Sequence, residues 1–260
     1  MAEKVLLVLV DGMRSDALCA TPDFLEYYKS GTYCLQGRTV FPPVTLPAHM
    51  SLYHSVDPER HGVYNNIFVQ QNHPIRGLAD VLREAGKTSA RFYCWEPLRD
   101  LAKPEAFSYS HYMNYEDFSE ILDTDTESTR QCIAHIRELA PDFVFLYLHR
   151  TDEMGHDHGW MSEKYLAAVQ HAGECLREVL KELPEDYSVI VTADHGGHGR
   201  NHGDEMDTDM TVPICFHGKR FPAGKAIKGV NIKDIAPTIA EILGVEPDKK
   251  WEGHSIFEKL

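Results

Sequence analysis

The chain has 260 residues, of which 43% are hydrophobic, and its formal net charge is −14. This length provides a substantial core in one large domain or two small ones. The negative charge argues against stable binding to DNA or RNA, because a polyanion is repelled. No apolar stretch reaches the length of a membrane span, and the first residues lack the features of an export signal. We therefore expect a cytoplasmic protein that does not bind membranes.

Apolar runs typical of buried strands alternate along the chain with segments of helical periodicity. The strand-like runs are residues 4–10, 31–41, 88–95, 142–149, 187–193 and 211–218. The helix-like segments are residues 46–55, 73–86, 116–140, 162–184 and 231–244. Because such alternation produces a mostly parallel sheet between layers of helices, the sequence predicts an α/β fold. No linker interrupts the series, so we expect a single domain over residues 1–260.

The segment 94–118 is a long, aromatic-rich excursion between two predicted elements. It includes the aromatic side chains Phe107, Tyr109, Tyr112 and Tyr115. Long loops of this kind are often functional, so one interpretation is a flap over an active site whose rings stack on a nucleobase. The other interpretation is ordinary packing. The six cysteines lack any C-x-x-C spacing, and we expect reduced thiols, most of them in the core.

Carboxylate and imidazole side chains follow three of the predicted strands. They are Asp11 after the first strand, Asp152 and His156 after the strand at 142–149, and Asp194, His195 and His202 after the strand at 187–193. Because the carboxyl ends of parallel strands meet at one edge of a sheet, these groups are expected to converge there. Taken singly, each aspartate could be a helix cap and each histidine could have a structural role. Six oxygen and nitrogen donors together suit two divalent ions such as Zn²⁺ with open coordination positions.

A candidate nucleophile lies in the segment "TVFPPVTLPAHMSL". Thr45 comes immediately before a predicted helix with Pro47 in its first turn, as helix starts prefer. Thr45 as a simple N-cap is one interpretation. A helix start also presents free N–H groups and the positive end of the helix dipole, which favour an alkoxide and phosphate oxygens. The two roles are compatible.

At these motifs the sequence resembles the alkaline phosphatase superfamily and, within it, the nucleotide pyrophosphatase/phosphodiesterase group. The resemblance covers nearly the whole chain. It rests on "DGMRSD", "FPPVTLPAHMSLYHSVDPERHGVYNN", "TDEMGH", "ADHGGHG" and "NHGDEMDTDMTVPICFHG", in this order. Several motifs in the family order make chance agreement improbable.

The resemblance implies a role for each matched position. Thr45 is the nucleophile and contacts the first metal ion, which Asp11, Asp194 and His195 bind. The ligands of the second ion are Asp152, His156 and His202. Asn66 donates to a phosphate oxygen, with Asn65 as the alternative in a shifted register. His198 is a candidate for support of the metal ligands or for a plain loop role.

The implied activity is hydrolysis of small phosphate esters or nucleotides, most of all phosphodiesters, with two divalent ions. Zinc is expected, and manganese or iron also suits these ligands. Alternatives are a phosphomonoesterase, in which Arg14, Arg38 or Arg150 holds a terminal phosphate, a phosphonate hydrolase, or a metal-binding scaffold without activity. A sulfatase is disfavoured because the C-x-P-x-R signature is absent, and cofactor-independent phosphoglycerate mutase needs a larger inserted domain.

Overall fold

A computed structural model describes residues 3–71, 74–103, 105–114 and 123–260. Its strands form one eight-stranded sheet in the order β4-β3-β5-β1-β6-β7-β2-β8. They are β1 Lys4–Val10, β2 Thr32–Arg38, β3 Ser89–Tyr93, β4 Tyr109–Tyr112, β5 Phe143–Leu148, β6 Tyr187–Thr192, β7 Thr211–His217 and β8 Lys225–Ala226. Neighbours from β4 to β6 are parallel. Only β7 runs antiparallel to its neighbours within the described sheet.

Helices flank this sheet, which confirms the predicted α/β class. They are α1 Pro22–Ser30, α2 Thr45–His54, α3 Pro58–His61, α4 Leu78–Glu84, α5 Thr124–Leu139, α6 Arg150–His158, α7 Glu163–Glu182, α8 Asp207–Met210 and α9 Ile235–Ile242. One group includes α5, which packs on β3 and β5 and beside α7. Another includes α9, which packs on β1 and beside α2 and α4. Among the described helices, none has the length and apolar character needed to cross a membrane.

Several helix boundaries differ from the sequence prediction. The helix expected over 73–86 begins at Leu78, because Gly77 is its N-cap and Asp80 accepts a hydrogen bond from the Gly77 N–H. The helix expected over 116–140 begins at Thr124 with Asp123 as its N-cap. The earlier part of that segment lies outside the described residues. Neither α1 nor α6 was predicted.

The register of the central strands places their carboxyl ends at one edge. In β1, Val10 pairs with Leu148 of β5, and Leu9 pairs with Thr192 of β6. These strands are fully buried since each lies between two others and beneath helices. The residues that follow them therefore emerge side by side. Five of the six thiols are buried, Cys19 is exposed, and all six are free.

The described aromatic residues of the 94–118 segment pack against the rest of the fold. The Tyr109 ring stacks on His135 at 4.1 Å between centroids, and Tyr112 contacts Tyr93 at 5.3 Å. Phe107 is buried. Tyr115 lies outside the described residues. These contacts favour the packing interpretation for Phe107, Tyr109 and Tyr112.

One ion pair between helices predicts a pH dependence of stability. The Nε2 atom of His171 in α7 lies 3.3 Å from Oδ1 of Asp123, the N-cap of α5. Hydrogen bonds to Asp123 and Cys175 outweigh burial and raise the pKa of His171 to about 11. A raised pKa means that the pair stabilises the fold fully below the unfolded pKa of about 6.5, and that this contribution is lost as pH rises towards 11.

We expect His171→Gln to lower the free energy of unfolding by about 1 kcal/mol near pH 6, and by less near pH 9. Urea denaturation of both proteins at the two pH values measures this difference. The exposed His254 offers a matched control, because its replacement by Gln should change neither value. A loss that grows with pH would contradict the assignment.

Candidate metal centre

The predicted metal-type residues converge into two clusters. The first cluster consists of Asp11, Asp194 and His195, and the second consists of Asp152, His156 and His202. Within each cluster, one potential ligand atom per residue lies within 4.8 Å of the others. The structure thus groups these residues in the two sets that the resemblance implied. Their binding of metal stays a prediction.

Backbone geometry at the end of β1 brings the two clusters close. Asp11 follows β1 directly, and Gly12 adopts a positive φ of 65°. A Cβ atom at Gly12 would lie 2.9 Å from Oδ1 of Asp152, so only glycine allows this carboxylate to approach. Asp152 occupies the first turn of α6, and His156 lies one turn later on the same face.

The loop between β6 and α8 contains the remaining three residues of the two clusters. Asp194 and His195 follow β6, and the His202 ring stacks on His195 with 3.8 Å between centroids. A Cβ atom at Gly197 would lie 2.2 Å from the Trp160 ring, so the loop can pack this closely only with glycine there. The glycines of "ADHGGHG" therefore permit a compact loop that places its histidines in both clusters.

The three clustered histidines are oriented by the same kind of contact. Each Nδ1–H donates to a backbone carbonyl: His195 to Gly196 at 2.8 Å, His156 to Arg200 at 3.0 Å and His202 to Pro43 at 2.9 Å. Each Nε2 then faces a carboxylate of its cluster, at 3.3 to 3.8 Å. Metal-binding histidines are typically held in this way, with the second ring nitrogen donating to a carbonyl or carboxylate.

The three clustered carboxylates each keep one oxygen free. Asp11 Oδ2 accepts a hydrogen bond from the Tyr147 hydroxyl, and Asp194 Oδ1 accepts from the Gly12 N–H at 3.1 Å. By contrast, Asp11 Oδ1, Asp152 Oδ1 and Asp194 Oδ2 are buried without a hydrogen-bond partner. Buried carboxylate oxygens are rarely left unpaired in folded proteins. Three such oxygens facing neutral imidazole nitrogens fit divalent cations.

The pKa values of these groups point to the same conclusion. Burial and the charge of Asp11 raise the pKa of Asp152 and of Asp194 well above its usual range. Burial also raises the pKa of Asp11, but the hydrogen bond with His149 and the other neighbouring donors outweigh it, and the pKa is lowered. Burial, with the charge of His202, lowers the pKa of His195 to about 3, so its imidazole is neutral. Three ionised carboxylates are compatible here only with positive charge between them.

Thr45 lies against the first cluster. It is the first residue of α2, whose N-cap is Val44, and its hydroxyl makes no capping bond. The simple N-cap interpretation of Thr45 is therefore wrong. Instead, Thr45 Oγ1 lies 3.2 Å from His195 Nε2, and the residue is 4% exposed. The hydroxyl therefore faces the first cluster.

Asn66 approaches the same helix start. Its Oδ1 accepts a hydrogen bond from the Leu46 N–H at 3.0 Å, so its amide nitrogen is left to donate elsewhere. Asn65 uses its Oδ1 to accept from Ile67 N–H at 2.9 Å within an exposed loop. The described cavity over the clusters is lined by Asn66 and not by Asn65.

This cavity has a volume of about 280 Å³. Its described lining consists of Asp11, Thr45, Asn66, Trp95, His149, Asp152, Glu153, His156, Asp157 and His202. Four of these, Trp95, His149, Glu153 and Asp157, were not identified from the sequence. His149 and Glu153 lie in the segment after β5 that carries Asp152, and this proximity was the available signal. His49 was also missed. It is buried one turn after Thr45, and its Nδ1 lies 3.5 Å from Asp194 Oδ2.

Three arginines considered from the sequence as phosphate ligands lie elsewhere. Arg14 pairs with Asp16, and Arg38 pairs with Asp207. Arg150 lies 3.7 Å from Asp123. None of the three lines the described cavity.

Comparisons with known proteins agree with this arrangement. The family model for type I phosphodiesterase / nucleotide pyrophosphatase matches residues 5–214. Human ectonucleotide pyrophosphatase/phosphodiesterase family member 1 is 26% identical over 216 residues, which are 74% of this chain and 23% of that protein. The 2,3-bisphosphoglycerate-independent phosphoglycerate mutase of Clostridioides difficile (strain 630) is 28% identical over 140 residues, 51% of this chain and 27% of that protein. The chain thus matches about a quarter of the length of these relatives.

Among solved structures, murine ectonucleotide pyrophosphatase/phosphodiesterase 5, an inactive threonine-to-alanine variant in complex with AMP, superposes with a TM-score of 0.80. It is 16% identical, and the match covers 97% of each chain. The two proteins therefore share a fold. The family match, which covers most of the chain, is more specific. The chain belongs to the type I phosphodiesterase / nucleotide pyrophosphatase family.

Proposed function

We propose that this protein is a metal-dependent hydrolase of phosphodiesters, with Thr45 as its nucleophile and a zinc ion at each cluster. The observation that carries the proposal is the position of Thr45. Its hydroxyl lies 3.2 Å from His195 Nε2, beside the cluster in which Asp11 Oδ1 and Asp194 Oδ2 are buried without partners. When bound, the ions supply positive charge that lowers the pKa of the hydroxyl and neutralises phosphate oxygens.

In the proposed reaction, Thr45 Oγ attacks phosphorus in line with the leaving oxygen. The bond from Oγ to phosphorus forms as the bond to the leaving oxygen breaks, and an alcohol departs with a proton. Water then cleaves the phosphothreonine, which releases a phosphate monoester and restores the hydroxyl. The Asn66 amide N–H donates to an equatorial oxygen, and the positive end of the α2 dipole stabilises the charge that accumulates there.

The charge of the cavity favours a diester over a monoester. No lysine or arginine is among its described lining residues, and the undescribed residues 1–2, 72–73, 104 and 115–122 include none by sequence. Glu153 and Asp157 instead add negative charge to the wall. A phosphate monoester carries a second negative charge, which would have no arginine partner in this cavity. The single negative charge of a diester does not require such a partner.

The test uses the purified full chain with zinc and compares three substrates. They are bis-p-nitrophenyl phosphate, p-nitrophenyl phosphate and the p-nitrophenyl ester of thymidine 5′-monophosphate. We expect both diesters to have a kcat/KM at least about 10-fold above that of the monoester, and a chelator to abolish turnover until zinc is restored. A faster monoester would favour the phosphomonoesterase. Two bound zinc ions without hydrolysis of any ester would favour the scaffold.

A further inference from the structure

A second buried carboxylate network lies behind the metal clusters. Asp209, in α8, is fully buried and is absent from the described cavity lining. Its Oδ1 accepts hydrogen bonds from His198 Nδ1–H at 2.9 Å and from the Thr208 hydroxyl at 3.1 Å. Its Oδ2 accepts from the backbone N–H groups of Gly203 at 3.0 Å and Asp204 at 3.2 Å. One carboxylate thus satisfies three donors of the β6–α8 loop and one donor of α8.

Two of these donors lie directly beyond His202 in the chain. The Asp209 side chain therefore fixes the backbone on the C-terminal side of His202, while the Pro43 carbonyl fixes its ring. The Asp209 main-chain carbonyl has a separate partner, the N–H of Gly196, at 2.8 Å. The Asp209 side chain thus holds the backbone next to His202 of the second cluster. The Asp209 main chain holds the segment that follows His195.

The His198 ring belongs to this network and not to the clusters. Its Nδ1 faces Asp209, and its Nε2 lies 3.4 Å from Asp204 Oδ2. Neither cluster includes it. Burying a carboxylate is costly unless its oxygens are fully hydrogen-bonded, so the network is stable in one loop conformation only. That conformation is the one in which the His202 Nε2 faces Asp152.

We propose that Asp209 and His198 are positioning residues that hold His202 in place for the ion of the second cluster. The proposal rests on the proposed function in one respect, namely that this cluster binds an ion. Residues that orient metal ligands typically contribute 10- to 100-fold to metal affinity. We expect Asp209→Asn, which removes the charge and one acceptor, to weaken zinc binding at the second cluster by about this factor and to leave the first cluster unchanged.

The experiment measures zinc stoichiometry and both dissociation constants on the full chain by competition with a chromophoric chelator. Asp207→Asn is the matched control, since the same chemical change occurs two residues away at a side chain that is 92% exposed. It should leave both constants unchanged. His198→Ala should weaken the same constant as Asp209→Asn. His198→Asn, which keeps a donor near the position of Nδ1, should restore part of the affinity.

A double-mutant cycle separates positioning from general destabilisation. If Asp209 acts through His202, then Asp209→Asn should have no further effect on zinc affinity in a His202→Ala background. Equal losses in both backgrounds, or equal weakening of both clusters, would overturn the inference. So would a variant that binds two zinc ions as tightly as the wild type. A wild-type chain that binds fewer than two ions would instead contradict the proposed function, so the two failures are distinguishable. Should Asp209→Asn fail to fold, the His198 pair of variants provides the same test.

Discussion

Thr45→Ala is expected to lower kcat of diester hydrolysis by at least about 1,000-fold, because the change removes the proposed nucleophile. The variant should fold and bind zinc as the wild type does. The Thr45 hydroxyl caps no helix, so α2 keeps its N-terminal hydrogen bonds. Stopped assays with bis-p-nitrophenyl phosphate and metal analysis of the same preparation measure both quantities.

Two further variants make the Thr45 result specific. Thr45→Ser keeps a hydroxyl at the same position and should retain measurable turnover. Thr39→Ala removes a different buried threonine hydroxyl, which has no hydrogen-bond partner, and should leave kcat within about twofold. Acid quenching of the wild type during turnover of bis-p-nitrophenyl phosphate should trap a p-nitrophenyl phosphoryl group on Thr45. Full activity in Thr45→Ala would exclude this residue as the nucleophile.

Asp194→Asn is expected to change activity and stability in opposite directions. The amide can still accept from the Gly12 N–H, but it cannot replace the free Oδ2 as an anionic ligand. We expect loss of the ion at the first cluster and a fall of at least about 100-fold in kcat/KM. Burial and the charge of Asp11 raise the pKa of Asp194. Because the unfolded chain ionises this carboxyl more readily, Asp194 lowers the stability of the metal-free fold at pH values above the pKa of an unfolded aspartate.

Thermal unfolding at neutral pH, with and without zinc, measures the stability change. Without metal, the variant should be at least as stable as the wild type. With zinc at about 100 times Kd, the wild type should gain about 2.7 kcal/mol from one site, and the variant should lack the gain of the first cluster. Asp125→Asn is the control, because Asp125 is equally buried with a pKa raised to about 6, yet belongs to neither cluster. Unchanged zinc stoichiometry in Asp194→Asn would contradict the proposed role.

Several strands and much of the candidate site could be predicted from the sequence, because they depend on local chemistry. Continuous apolar runs predicted β1, β5 and β6, because a parallel strand that is buried on both faces needs no polar residues. The placement of Asp11, Asp152 and Asp194 after those runs predicted their convergence, since parallel strands end at one edge. The same rule predicted that His195 and His202, in the loop after β6, lie near these carboxylates. The helices α1 and α6 were missed because each has only 9 residues, which is shorter than the stretch over which helical periodicity can be recognised.

Only the tertiary structure decided what the remaining polar groups contact. Arg14, Arg38 and Arg150 all lie near strand ends in the sequence, yet their ion pairs direct them away from the cavity. His198 and His202 have the same residue type and lie four positions apart, yet one faces Asp209 and the other faces Asp152. The physical reason is that hydrogen bonds and charges act over a few ångströms in space. Sequence periodicity specifies which element a side chain belongs to, whereas its partners come from segments up to 198 residues away.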